Sequence, residues 1–444
     1  MIARTRKFIG DLSETFWLIP AVMVLIGIAT ALGLLQIDGS GLISSTILDS
    51  RWLYDGGGTG ARTLLGAVAS STIGVAGTVF SITIAALSLA AGQMGPRLLR
   101  NFTRDRGNQI TLGIFLGTFS YALIVLRSVR TQDEGAFVPH LALSVSIVLA
   151  FVCVATLVYF VGHMASRINV DTVIELVSED VRAAIANLTT EKQQPLPPPK
   201  AIWRNAEPVL DARYGYLQQF DGDGLADWAA EHSTAIRLLV RPGDYVFPDA
   251  PIALISPMVD GAGEAIRAAT ALGSRRGSTA DLEFSIRQLV EVAVRALSPG
   301  INDPHTAMSV LDRLGAALCE LAPRTLTSGV YLREDRPVLV VANPDYTGVT
   351  NAMFHMIRQN AVNSTAVLIR LLDVLASVVS CEHEPLRVLS LQGHADLVLG
   401  DAERHISTPA DLTDIRARHA RFVAMKIHGP FGALEPLEQP TNCA

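Results

Sequence analysis

TLLGAVASSTIGVAGTVFSITIAALSLAAGQMGP, Thr63 to Pro96, contains no charged residue, and Arg97, Arg100, Arg104 and Arg106 follow it directly. A helix of about twenty apolar residues crosses the hydrocarbon core of a bilayer. This stretch therefore spans a membrane with length to spare. Arginine clusters beside a span stay on the cytoplasmic side, so the four arginines form a basic membrane-face cluster and set the direction of crossing.

Working outward, three more apolar stretches follow the same rule: about Phe16–Gln36, Asn108–Leu126 and Val138–Val161, with the quoted run read as a span over about Arg62–Ala91. Arg4, Arg6 and Lys7 precede the first span without a small-residue cleavage site, which reads as an anchor rather than a signal peptide. The loop from Asp38 to Arg62 mixes charges and reads as external, as does the short loop around Asp133 and Glu134. The expected topology is a multi-pass membrane protein with the N-terminus and a large C-terminal region in the cytoplasm. Its partner is the lipid bilayer.

The second span carries a polar stripe. Ser71, Thr78, Ser81 and Ser88 recur at steps that share one helical face. One reading is helix packing through small and hydroxyl residues; the other is a hydroxyl-lined water or ion path. Gly113 and Gly117 stand at G-x-x-x-G spacing in the third span, which favours close helix contact. Gly74 and Gly77 are places where the long second span would bend cheaply. No span has a charged residue near its centre, which argues against proton-coupled transport. His140 and His163 lie at opposite ends of the fourth span and read as interfacial residues.

The chain of 444 residues has a mean hydropathy of +0.34, high for a soluble protein but low for one that is all membrane. Its formal net charge of -6 argues against nucleic-acid binding. Lysine occurs at positions 7, 192, 200 and 426 only, none in a Walker-type phosphate loop. Cys153, Cys319, Cys381 and Cys443 form no C-x-x-C pair, so neither a disulfide framework nor a zinc signature is present. No cofactor is implied.

The fold class expected is four transmembrane helices plus a cytoplasmic α+β region. Residues 1–168 form the membrane domain and residues 169–200 a helical stalk and Pro-rich linker. Ile174, Val177, Val181, Ile185 and Leu188 make an apolar stripe in that stalk, suited to a pairing seam. Residues 201–260 read as a small β-module, with a strand at Tyr214–Phe220 ending in the turn Asp221–Gly224. The phrase RPGDYVFPDAPIALI resembles one hairpin of biotinyl/lipoyl modules without their modified lysine. Residues 261–427 read as mostly helical and 428–444 as a loose tail. Ser278 and Thr279 supply caps for a helix from Asp281, and Ser298-Pro299-Gly300 ends it. Asn302 or Asp303 caps the next helix, with Pro304 in its first turn. Further helices are expected at Thr350–Val379, Leu386–Leu399 and Leu412–Met425.

RALSPGINDPHTA, Arg295–Ala307, gathers Ser298, Asn302, Asp303 and His305 at a helix start, where free backbone N–H groups favour an anion. They are either caps or a ligand or interface site. No nucleophile motif surrounds Ser298. His383, His394 and His405 would align on one helix, but Pro385, Gly393 and Gly400 argue against continuity there, and no i, i+4 ligand pair exists.

Four motifs, FWLIP from Phe16, VAGTVFSITIAALSLA from Val75, GPRLLRNFTRDRGNQ from Gly95 and RALSPGINDPHTA, make nearly the whole chain resemble a bacterial family of predicted membrane proteins with a domain of unknown function. The resemblance implies an inner-membrane location and the same two-part plan, and no activity. His305 stands where the family pattern implies Phe, which weighs against a catalytic histidine.

Three functions compete. The first is a homo-oligomeric, channel-like protein with a cytoplasmic regulatory domain and an unidentified ion or small-molecule ligand. The second is a membrane-anchored ligand sensor or scaffold without a pore. The third is a membrane-tethered hydrolase built on Ser298, Asp303 and His305.

Overall fold

The computed structural model describes residues 16–40, 57–94, 105–130, 137–191, 194–276 and 282–434. The chain forms two compact units that meet in sequence between Asn169 and Val170. The first holds four helices long and apolar enough to cross a membrane: α1 (Leu18–Gly39), α2 (Gly58–Met94), α3 (Arg106–Ser128) and α4 (His140–Ile168). All four expected spans are there. Arg97, Arg100 and Arg104 lie outside the described residues, as do Arg4, Arg6, Lys7, Asp133, Glu134, Ser278 and Thr279, whereas Arg106 opens α3.

α2 runs unbroken for 37 residues, through Gly74 and Gly77. At 1.5 Å per residue that is about 55 Å, well beyond a hydrocarbon core of about 30 Å. In lipid every backbone group must be bonded within its own helix, so glycine alone does not produce a bend.

Backbones come closest between α1 and α3. A Cβ placed on Gly27 would lie 2.5 Å from the carbonyl oxygen of Gly117, and one on Gly117 would lie 3.0 Å from that of Met23. The G-x-x-x-G spacing of α3 thus serves a contact inside the unit, where small residues permit close packing in lipid. Tyr121 is fully buried and donates to the Ala142 carbonyl oxygen on α4 at 2.7 Å. Leu65, Val68, Val125 and Leu143 fill the space around it. Farther along, Val79, Phe115, Cys153 and Phe160 form a second apolar cluster.

The second unit begins with α5 (Val170–Leu188). It does not continue the last span, because Asn169 is extended (φ −69°, ψ 124°) and ends α4. Asparagine competes for backbone hydrogen bonds and favours such breaks. Ile174, Val177, Val181 and Ile185 are buried against α8 (Leu282–Ala296) and α9 (Pro304–Leu321). The stripe that reads as a stalk or pairing seam is a packing face.

The strands belong to β1 (Thr189–Thr190), β2 (Glu207–Asp211), β3 (Gly215–Phe220), β4 (Ala235–Leu238), β5 (Tyr245–Val246), β6 (Ala250–Ser256), β7 (Thr270–Gly273), β8 (Thr325–Leu326), β9 (Val330–Arg333) and β10 (Arg336–Val341). One sheet has the order β2-β6-β4-β10-β9, a second β5-β3-β7, and β1 pairs with β8. β10 lies parallel to β4, and β9–β10 is a hairpin turning at Glu334 and Asp335, both at positive φ. The sheets therefore draw in strands beyond residue 260. The biotinyl-like phrase makes no hairpin: β5 joins β3 while β6 lies between β2 and β4. Asp249, at φ 59°, turns the chain from one sheet to the other. Asp221–Gly224 is a helix start rather than a turn, because Asp221 caps α6 (Gly222–Glu231) by accepting from Gly224 N. The short α7 (Ala262–Ala269) precedes β7.

The helical layer is completed by α10 (Tyr346–Asn360), α11 (Thr365–Val379), α12 (Pro385–His405) and α13 (Pro409–His428). The single helix expected over Thr350–Val379 is two, parted around Asn363 and Ser364, residues that prefer turns to helix interiors. α12 is continuous through Gly393 and Gly400. Each glycine costs about 1 kcal/mol there, and burial of Leu391, Ala395, Val398 and Ala402 outweighs it. After α13, a 3-10 turn at Gly429–Leu434 packs Gly432 on the Ala424 backbone, so the start of the expected loose tail is structured.

Candidate functional site

On α2 the side chains of Ser71, Thr78, Ser81 and Ser88 are all exposed at the surface of their own unit. Ser71, Thr78 and Ser81 donate to carbonyl oxygens of the same helix, Val68 at 3.1 Å, Gly74 at 3.2 Å and Gly77 at 2.9 Å. Beside them, Cβ atoms added to Gly66, Gly74, Gly77 and Gly92 would meet open space. The hydroxyl stripe is thus a face of small residues turned away from the unit's interior, with the Ser71, Thr78 and Ser81 hydroxyls satisfied without a neighbouring helix. The interior itself is filled by Leu65, Phe115, Tyr121, Leu143 and Phe160, each at most 2% exposed.

Two carboxylates, Asp38 half-buried and Asp105 buried, tie the helices together at their ends. Asp38, in the last turn of α1, accepts from Leu141 N at 3.1 Å and Ala142 N at 3.0 Å, capping α4. A carboxylate there also complements the positive end of the helix dipole. Asp105 caps α3 through Gly107 N at 2.8 Å. Its other oxygen accepts from His163 Nε2 at 2.8 Å and Arg167 Nε at 2.9 Å, both on α4. Gly107 is required by this contact, since a Cβ there would lie 2.7 Å from His163 Nε2. His163 is therefore a clamp between α3 and α4, close to the end of α4. One turn on, Asn108 and Thr111 are buried, and the Asn108 amide and Thr111 hydroxyl have no partner among the described residues. An Asp directly before a helix start is a capping signal, so Asp105 was findable from sequence. Its two partners on α4 were not.

The knot at the α8–α9 junction resolves into caps. Ser298 Oγ donates to Arg295 O at 2.7 Å. Asp303 is the N-cap of α9 and accepts from His305 N at 3.1 Å, Thr306 N at 3.2 Å and Thr306 Oγ1 at 2.6 Å. The Thr306 hydroxyl bond holds its carboxyl below the usual carboxylate range, against a smaller opposing effect of burial. Asn302 sits at φ 50° and His305 is exposed. Asp303 thus holds backbone rather than the His305 ring, and Ser298 faces its own helix. The hydrolase arrangement of these three residues is not assembled.

His383 precedes α12, whereas His394 and His405 lie on it three turns apart, about 16 Å along the axis. That is too far to share an ion. His394 instead meets His355 of α10, ring centroids 5.0 Å apart, with Phe354 edge-on at 5.5 Å. Arg358 pairs with Asp401 at the same helix contact, and Arg404 pairs with Asp401 as well. Among the described residues no three metal-ligating side chains come together.

The family profile described as predicted membrane protein (DUF2254) matches residues 13–377. The chain belongs to this family. Uncharacterized protein Rv1290c of Mycobacterium tuberculosis and uncharacterized protein Mb1321c of Mycobacterium bovis are each 32% identical to it over 438 residues, covering 95% of this chain and 82% of theirs. No solved structure matches it.

In this DUF2254 protein the helical layer carries a built-in sensitivity to acid. Burial, then the neighbouring His355 and Arg358 charges, push the His394 imidazole down to about 4. An unfolded histidine titrates near 6.5. The folded pKa is the lower one, so the stabilisation is fully present above about 6.5 and is lost as pH falls from there toward 4. The span corresponds to about 3 kcal/mol. Chemical denaturation of the full-length protein at pH 7.5 and 4.5 should show that loss for wild type and a much smaller one for His394→Gln; equal losses would remove His394 as the cause.

Proposed function

We propose that this chain is a homo-oligomeric, channel-like protein of the bacterial inner membrane whose C-terminal unit is cytoplasmic and regulates it. The observation that carries this reading is the outward hydroxyl face of α2. α3 uses its glycines against α1, but among the described residues the small face of α2 has no helix of its own unit against it. Close approach through such residues is how helices associate in lipid. With the unit's interior filled by large side chains, a polar path would run along an axis between copies, lined by Thr78 and Ser81. The arginine-rich segment from Arg97 to Arg106, and the basic N-terminus, support the cytoplasmic orientation.

Native mass of the full-length protein in mild detergent tests the first requirement: a ring of three or more copies is expected. Ser81→Asp and Thr78→Asp should then raise cation conductance in planar bilayers severalfold. A monomer, or a ring whose conductance ignores both changes, would replace the pore with a membrane-anchored sensor or scaffold.

A further inference from the structure

A cleft of about 220 Å3 opens in the C-terminal unit, where the end of α5, the end of β3, the turn after β4 and the start of α8 converge with the strands around β9 and β10. Leu188 and Phe220 give it apolar walls, and Arg241, Glu283, Tyr331 and Asn343 give it polar ones. Arg241 donates to Glu283 at 2.5 Å. Glu283 is also approached by Arg287 at 3.3 Å and Arg276 at 3.7 Å, and Arg241 faces Asp244 at 3.7 Å. Three guanidiniums therefore meet two carboxylates. Glu283 would remain neutralised by the other two arginines if Arg241 turned toward a different oxyanion.

The neutral groups are also unfinished. Asn343 donates from Nδ2 to Thr327 O and Oγ1, both at 2.9 Å, and among the described residues its amide oxygen accepts no hydrogen bond. The Tyr331 phenol, whose hydroxyl lies against Gly222, has no hydrogen-bond partner among the described residues; burial, then the Asp223 carboxylate, raises its pKa, so it remains an O–H donor. An apolar hollow ringed by a few convergent polar groups is the usual form of a small-molecule site.

We propose that this cleft binds a small organic anion, a carboxylate or phosphate held by Arg241 and Tyr331 with a flat apolar body lying against Phe220 and Leu188. Planar guanidinium suits both oxyanions because it bonds them in a fork. The position has a mechanical meaning. Leu188 is the last residue of α5, which follows the final span after Asn169 alone, so a ligand there touches the helix joined to the membrane. The site stands apart from the pore reading: it would serve a gated oligomer and an anchored sensor alike.

Thermal unfolding of the full-length protein in detergent, with defined probes, tests it. Phenyl phosphate or benzoate should raise the midpoint saturably. Benzyl alcohol, which lacks the anion, and inorganic phosphate, which lacks the apolar body, should act at least about tenfold more weakly. Arg241→Gln should abolish the response. Tyr331→Phe keeps the ring and the fold, so it decides the matter if Arg241→Gln unfolds; loss of one hydrogen bond should weaken binding about three- to tenfold. The proposal is overturned if neither anion shifts the midpoint, if benzyl alcohol matches them, or if both variants respond as wild type.

Discussion

Gly27→Leu is expected to disrupt the membrane unit, with a loss of about 3 kcal/mol or more, at or above the upper end of overpacking costs. The reason is backbone, not side chain. A Cβ at Gly27 would press on the carbonyl oxygen of Gly117 at 2.5 Å, and a carbonyl inside a helix cannot rotate away. Relief requires α1 and α3 to separate, opening a contact that lipid cannot repair. Gly33 is the control. It lies on the same helix with nothing within 4 Å of its would-be Cβ, so Gly33→Leu should leave stability nearly unchanged. Denaturation by graded SDS in mixed micelles reads both. Equal midpoints for the two variants would mean that α1 and α3 do not pack through these glycines.

Asp105→Ala should cost about 3–5 kcal/mol, the range for breaking a buried ion pair from one side. The carboxylate is 3% exposed and serves the α3 N-terminus, His163 and Arg167 at once. Its removal leaves the Arg167 charge without this partner and an uncapped helix start. His163→Ala should cost less, because Arg167 still holds Asp105. The double variant should fall well short of the sum of the singles, since both remove the same contact. The same SDS titration measures this cycle. Additive losses would place His163 and Asp105 in separate interactions, contrary to the 2.8 Å bond between them.

The C-terminal helices were partly legible for the reason that makes capping a local affair. Asp303 before Pro304, and the apolar stripe of α9, are read from adjacent residues and appear where expected. The continuity of α12 was not legible, because burial of its apolar face overrides the weak preference of Gly393 and Gly400 against helix. The α2 stripe was legible as a face, but a periodicity cannot tell which way a face points. Only packing shows that Ser71, Thr78, Ser81 and Ser88 lie outward while Leu65 and Val79 lie inward.

By itself the sequence determined that the chain is a multi-pass membrane protein with a mixed α+β region, because hydrophobic length and the helical period are properties of neighbours along the chain. Tertiary structure alone decided which glycines touch, that Asp105 meets His163 and Arg167, that β4 runs beside β10, and that Arg241 and Tyr331 face one cleft. Each joins residues far apart in sequence, and such contacts come from the packing of whole elements rather than from any local preference.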